Sequence, residues 1–193
     1  MPEPGWRGLG ILGSKPPASQ SCLSPIILSM SDLDGRMGGL TAGYDIRAEW
    51  DGERLRGRVG GRFLGKDIDL TLRDGEVDGR IGGVFGGFDA SGQIGGGQVS
   101  VRLGGRIDGD NLELKVSADR ITGRFSGRID GKTVELRRDG PTLRGRIGGR
   151  LDGKDVELEF GQIPPALAAL AAVCAFKALE DEQNDAAASA SSS

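Results

Sequence analysis

The sequence predicts a mainly-β fold: a 12-stranded antiparallel up-and-down closed barrel of six 22-residue β-hairpin repeats, with a C-terminal hydrophobic helix threading the barrel. Three observations carry this prediction. A glycine-arginine cassette returns six times at one fixed interval. Apolar residues alternate within each interval, and Asp-Gly pairs interrupt them. After the last repeat comes an alanine-rich run without charge.

The cassettes read GRMGG at Gly35, GRVGG at Gly57, GRIGG at Gly79, VRLGG at Val101, GRFSG at Gly123 and GRIGG at Gly145. Counted from the opening residue, apolar side chains fall at positions 3, 7 and 21, and glycine holds positions 1 and 5 almost throughout. Val77-Gly79-Ile81-Gly83-Phe85 thus occupies every second residue, the period of one strand face. The second half of a repeat does the same in Ile68-Leu70-Leu72, Leu112-Leu114-Val116 and Val156-Leu158-Phe160. Each unit is therefore two strands, about nine and about seven residues long. Leu64-Gly65, Asp108-Gly109, Asp130-Gly131 and Asp152-Gly153 are the predicted turns inside units, and Asp74-Gly75 and Asp139-Gly140-Pro141 those between units. Asp-Gly suits a primed hairpin turn because such turns need positive φ.

Charge tests the register. Position 2 is arginine in all six units: Arg36, Arg58, Arg80, Arg102, Arg124 and Arg146. A two-residue loop at Asp74-Gly75 places Asp69 opposite Arg80, and the period then pairs Glu113 with Arg124 and Glu135 with Arg146. Two-residue loops inside units would pair Arg62 with Asp67 and Arg150 with Asp155. Opposite charges across strands contribute about 0.2–1 kcal/mol each, the exposed ones at the low end. Their main effect is to hold register, since a one-residue slip turns the apolar face outward. The third unit, FGGFDASGQIGGGQVS, puts Ala90 and Gly92 at apolar positions, so its hairpin is expected to be irregular and the first place to look for function.

Pro164 and Pro165 then open a helix that runs to about residue 180. From Ile163 to Phe176 it carries no charge, so it is apolar on every face and belongs in a core or a membrane. A bilayer span needs about 20 apolar residues, more than this run has. A 12-stranded barrel has a radius of roughly 11–12 Å, too wide for side chains alone to fill. It could hold one helix of about 10 Å diameter, the more easily where inward residues are glycine.

Composition narrows the chemistry. Histidine is absent from all 193 residues, which removes the commonest general base and metal ligand. A net charge of -3 argues against nucleic acid as a partner, and RGRVGGR at 56–62 differs from disordered RGG segments in its alternating apolar residues. Asp108, Asp110 and Asn111 read as turn residues, because the spacing lacks a calcium loop's later ligand. Cys174 reads as a buried, inert thiol, and Lys177 as a charge reaching a barrel mouth. Cys22 and Cys174 suggest no disulfide framework. Residues 1–34 read as a disordered extension without a signal peptide, with Met30 an alternative start, and 181–193 as a disordered tail.

The layout of residues 35–180, twelve antiparallel strands and then PPALAALAAV opening a threaded helix, resembles the tubby C-terminal-like fold. Tubby, the LURP-one-related proteins and phospholipid scramblases share that fold. The resemblance implies a barrel binding phosphoinositides through a basic surface pocket. It transfers no residue, because most position-2 and position-6 arginines here have acidic partners, and scramblase calcium-site and palmitoylation motifs are absent.

The expected function is thus a non-enzymatic, cytoplasmic tubby-like barrel, a scaffold or lipid-binding module at membrane surfaces, with no cofactor and no metal. Its partners are membrane lipid or protein. Arg47 and Arg58, opposite one another and without an acidic partner by this register, are the candidate anion or lipid contacts. The alternative is a structural β-repeat protein, an open array whose helix docks on a partner or lipid. Closure separates the two, since it brings Glu157 beside Arg36. An enzyme ranks a distant third, with the 86–98 segment as its one candidate site.

Overall fold

Every repeat folds into an opening strand and a return strand, as the period-2 pattern requires. The computed structural model describes residues 32–38, 43–60, 65–83, 86–105, 109–126, 131–149 and 152–190. In chain order the strands are β1 (Leu33–Gly38), β2 (Gly43–Trp50), β3 (Arg54–Gly60), β4 (Gly65–Arg73), β5 (Glu76–Gly82) and β6 (Gly87–Gly95). They continue as β7 (Gln98–Leu103), β8 (Asp110–Val116), β9 (Arg120–Ser126), β10 (Gly131–Asp139), β11 (Thr142–Ile147) and β12 (Lys154–Phe160). Each pairs antiparallel with the next, and β12 returns to β1 to close the barrel. At the seam Arg36 lies opposite Glu157 and Leu33 opposite Phe160. The open array is therefore excluded, and the barrel has no free sheet edge.

Between units the register is the one that charge predicts, with Asp69 opposite Arg80, Glu113 opposite Arg124 and Glu135 opposite Arg146. Asp74 and Gly75 form the connecting turn with φ of 50° and 84°, and Gly96-Gly97 repeats it with 58° and 74°. Two successive positive φ values match the right-handed twist of the flanking strands.

Inside units the register differs from the prediction. Asp67 lies opposite Arg58 and Asp155 opposite Arg146, while Arg62 and Arg150 fall outside the described residues. Glycine at position 4 favours this register in five of the six units, and the fifth keeps it with Ser126 in that place. Gly38, Gly60, Gly82, Gly104 and Gly148 all have φ between 90° and 122° and end the opening strand early. Gly60 then pairs with Gly65, so the connection spans four residues instead of two. Leu64, Asp108 and Asp130 of the expected turns lie outside the described residues, as do the position-7 side chains Phe63 and Phe85. A shift of four residues is even, so the same faces stay inward. Opening strands are consequently the shorter ones, β3 spanning 7 residues against 9 for β4.

The third unit is regular, against expectation. β6 pairs continuously with β5 and β7, and Phe88 and Ala90 are buried. Its glycine belongs to a belt. At one level of the wall, glycine faces a larger residue across the strands in Gly35–Leu158, Gly57–Ala48, Gly79–Leu70, Gly123–Leu114 and Gly145–Leu136. In the sixth pair the roles reverse, with Gly92 opposite Val101. A Cβ on Gly79 would collide with the Asp69 carbonyl oxygen and sit 2.7 Å from Leu70 Cα, so one glycine per pair lets the neighbouring strand's backbone approach closely. What reads as a defect in unit three is the same pair, reflected.

Helix α1 (Pro165–Ala190) fills the lumen. Pro164 accepts the first backbone bonds from Leu167 and Ala168 at 2.9 and 3.1 Å. From Ala166 to Phe176 every residue is buried, whichever way it points, and the helix meets β1, β2, β3, β5, β6, β7, β9, β11 and β12. Alanines keep it slim enough for the lumen, and Phe176 meets Phe125 edge-on at 6.4 Å. It ends at Ala190, beyond the expected end near 180, because EQNDAAASA is rich in helix formers and continues the hydrogen-bond ladder.

Candidate functional site

With α1 in the lumen, the side chains that meet solvent are those of the outer wall and the two mouths. Among the described residues no polar or charged residue is buried. Cys174 is buried completely, and desolvation pushes its thiol far above the ordinary value, so it stays protonated. It cannot act as a thiolate nucleophile there.

The mouth where α1 emerges is clamped by charge. Lys177 Nζ donates to Asp110 at 2.9 Å and Asp181 at 3.4 Å, and stands 5.3 Å from the Phe88 ring centroid. Burial pulls the ammonium pKa down, but the Asp110 hydrogen bond and the Asp181 charge outweigh it and leave it raised. Lys132 pairs with Glu180 and lies 5.2 Å from the Phe176 centroid. Asp110 is thereby engaged at the mouth, and Asn111 accepts from Arg102 at 2.7 Å. Asp108 lies outside the described residues. Among the described residues no group of three or more carboxylates and cysteines could hold a metal.

The outer wall is a lattice of ion pairs. Where the residue nine positions on is acidic, the position-2 arginine pairs with it: Arg36 with Asp45 at 3.3 Å, Arg80 with Asp89 at 2.5 Å and Arg146 with Asp155 at 2.8 Å. Arg54 pairs with Asp69 and holds its carboxyl below the usual range. Asp51 caps its own turn by accepting from the Glu53 and Arg54 amides, which lowers its pKa. Arg47 and Arg58 do lie opposite each other. Each nonetheless has a carboxylate: Asp34 at 3.1 Å for Arg47 and Asp67 at 3.1 Å for Arg58. The lack of an acidic partner that singled them out does not hold, because the shorter opening strands bring Asp67 opposite Arg58.

One row departs from the lattice. Arg120 on β9, Arg137 on β10 and Arg144 on β11 are directly opposite one another on adjacent strands. Equivalent rows one and two units earlier read Gln98–Lys115–Thr122 and Glu76–Gln93–Ser100. One unit later the row is Thr142–Glu159–Asp34. Arg144 donates to Glu157 Oε1 from Nε at 3.1 Å and Nη2 at 2.7 Å. Among the described residues Arg120 and Arg137 have no carboxylate in ion-pair range. The three line an exposed depression of about 290 Å³, with Glu135 as its single carboxylate and Leu136 and Gly145 beneath. Opposed like charges are destabilising.

Sequence reasoning missed this row. Its signal was present: a two-residue loop at Gly140-Pro141 places Arg137 opposite Arg144, but the register argument followed only positions 2, 6, 11 and 13. No helix among the described residues is long and apolar enough to cross a membrane. Compared with protein-family models, curated proteins and solved structures, the chain matches none.

Proposed function

We propose that the protein is a non-enzymatic, tubby-like binding module of the cytoplasmic membrane surface, meeting lipid headgroups with the outer wall of a closed barrel. The observation that carries this reading is the occupied lumen. Where α1 fills the interior from Ala166 to Phe176, recognition falls to the exterior. That exterior is charged, with guanidinium groups along strands all round the wall, as suits a headgroup layer and not the acyl interior. The order of twelve antiparallel strands followed by a lumen helix supports the tubby-like reading.

Vesicle co-sedimentation of the full chain tests the proposal. Neutral phosphatidylcholine vesicles and vesicles containing phosphatidic acid are compared across a salt series. Retention on the anionic vesicles, weakening as salt rises, is the expected result. Failure to bind them at low ionic strength would sink the membrane reading.

A further inference from the structure

We propose that Arg120, Arg137 and Arg144 form a binding site for a phosphate-class oxyanion. This deepens the membrane-surface reading by naming the group recognised, yet it can fail or stand separately. The row places three guanidinium groups across three neighbouring strands, so their Cα atoms span about 10 Å. Two lack an acidic partner among the described residues, and the third contributes through a group shared with Glu157. A fold that pairs many of its other strand arginines with carboxylates, Arg36, Arg47, Arg58 and Arg80 among them, leaves this repulsion standing where a dianion would relieve it. Guanidinium forks match phosphate oxygens two by two, which a point-charge ammonium does not. Thr122, also lining the depression, adds a hydroxyl donor at its edge. Glu135 stands at the β9–β10–β11 side opposite Thr122 and Arg146, so the local balance stays positive. One phosphate dianion, free or at the end of a lipid headgroup, satisfies this chemistry.

The test uses the full chain, an Arg120→Gln/Arg137→Gln variant and an Arg47→Gln/Arg58→Gln control that removes equal charge from a carboxylate-paired site. Thermal melts are run in inorganic phosphate and in chloride at matched ionic strength, alongside phosphatidic acid vesicles. Phosphate should raise the wild-type and control melting temperatures by the same few degrees. The row variant should melt no lower than wild type in chloride, because a like-charge contact is gone, and should lose phosphate affinity by roughly tenfold or more. Row-dependent phosphate stabilisation without vesicle binding keeps the site, assigns it to a soluble phosphate and rejects the membrane reading. Row-dependent binding to vesicles assigns it to the headgroup. An equal response of all three chains, or none from wild type to either probe, overturns the site. Vesicle binding that survives in the row variant leaves the membrane reading alone standing.

Discussion

At the residue scale, the belt shows glycine and its partner acting as one unit. Five pairs put glycine on the opening strand and one puts it on the return strand, so what recurs is one absent side chain per pair, not a residue at a position. At Gly92 a Cβ would lie 2.6 Å from Val101 Cα, so the obstruction is backbone and a flexible neighbour cannot yield. Gly92→Leu alone should therefore cost about 1–3 kcal/mol by overpacking. Gly92→Leu with Val101→Gly restores the commoner arrangement, which the other pairs show the wall can adopt. Denaturant melts of the two single variants and the double should give a favourable coupling of about 1 kcal/mol or more. Strict additivity would show that the glycine acts through chain entropy alone. The arginine row belongs to this scale too, since two guanidinium groups without a carboxylate partner among the described residues distinguish one of several equivalent rows.

At the element scale, α1 owes its position to being apolar on every face, since no amphipathic surface helix could tolerate the lumen. Cys174 reports on that position. With Cys22→Ser, so that one thiol remains, labelling by a disulfide reagent should be slower than in the denatured chain by a factor on the order of 10³ or more. Reaction would await opening of the barrel core. Burial alone suppresses the thiolate strongly enough to make the contrast large. Labelling at the denatured rate would place α1 outside the barrel. The lysine clamps at Lys132 and Lys177 mark where the helix leaves the core and its polar segment begins.

At the scale of the whole molecule, closure joins the ends of the repeat array. Strands β1 and β12 are the two most distant in sequence, yet they pair in the same antiparallel sense as every neighbour. Arg36 and Glu157 are directly opposite, on strands whose Cα atoms are then about 4.5–5.5 Å apart. Arg36→Cys with Glu157→Cys should accordingly form an intramolecular disulfide on mild oxidation, read as a mobility shift on a non-reducing gel. Cross-linking only between chains would indicate an array closed by exchange with a second copy. Because the seam pairing is so non-local, folding is expected to be slow for a protein of this size.

Local periodicity determined much of this protein. The 22-residue spacing, the alternation in Val77-Gly79-Ile81 and the uncharged run from Ile163 to Phe176 already specify twelve strands, their inward faces and a helix for the lumen. Asp69 opposite Arg80 was legible as well, because a two-residue turn leaves no freedom in register. The within-unit register was not. It goes with a positive φ at the position-4 glycines of five units, and a glycine letter does not reveal its own conformation. Gly92 opposite Val101 and Arg137 opposite Arg144 lie across two-residue turns and were open to the same argument as Asp69, whereas Arg120 opposite Arg137 lies within a unit and was hidden with that register. Periodicity and two-residue turns are local quantities and survive in the bare sequence; complementarity across the longer connections and the seam exists only once the barrel has set which residues face each other.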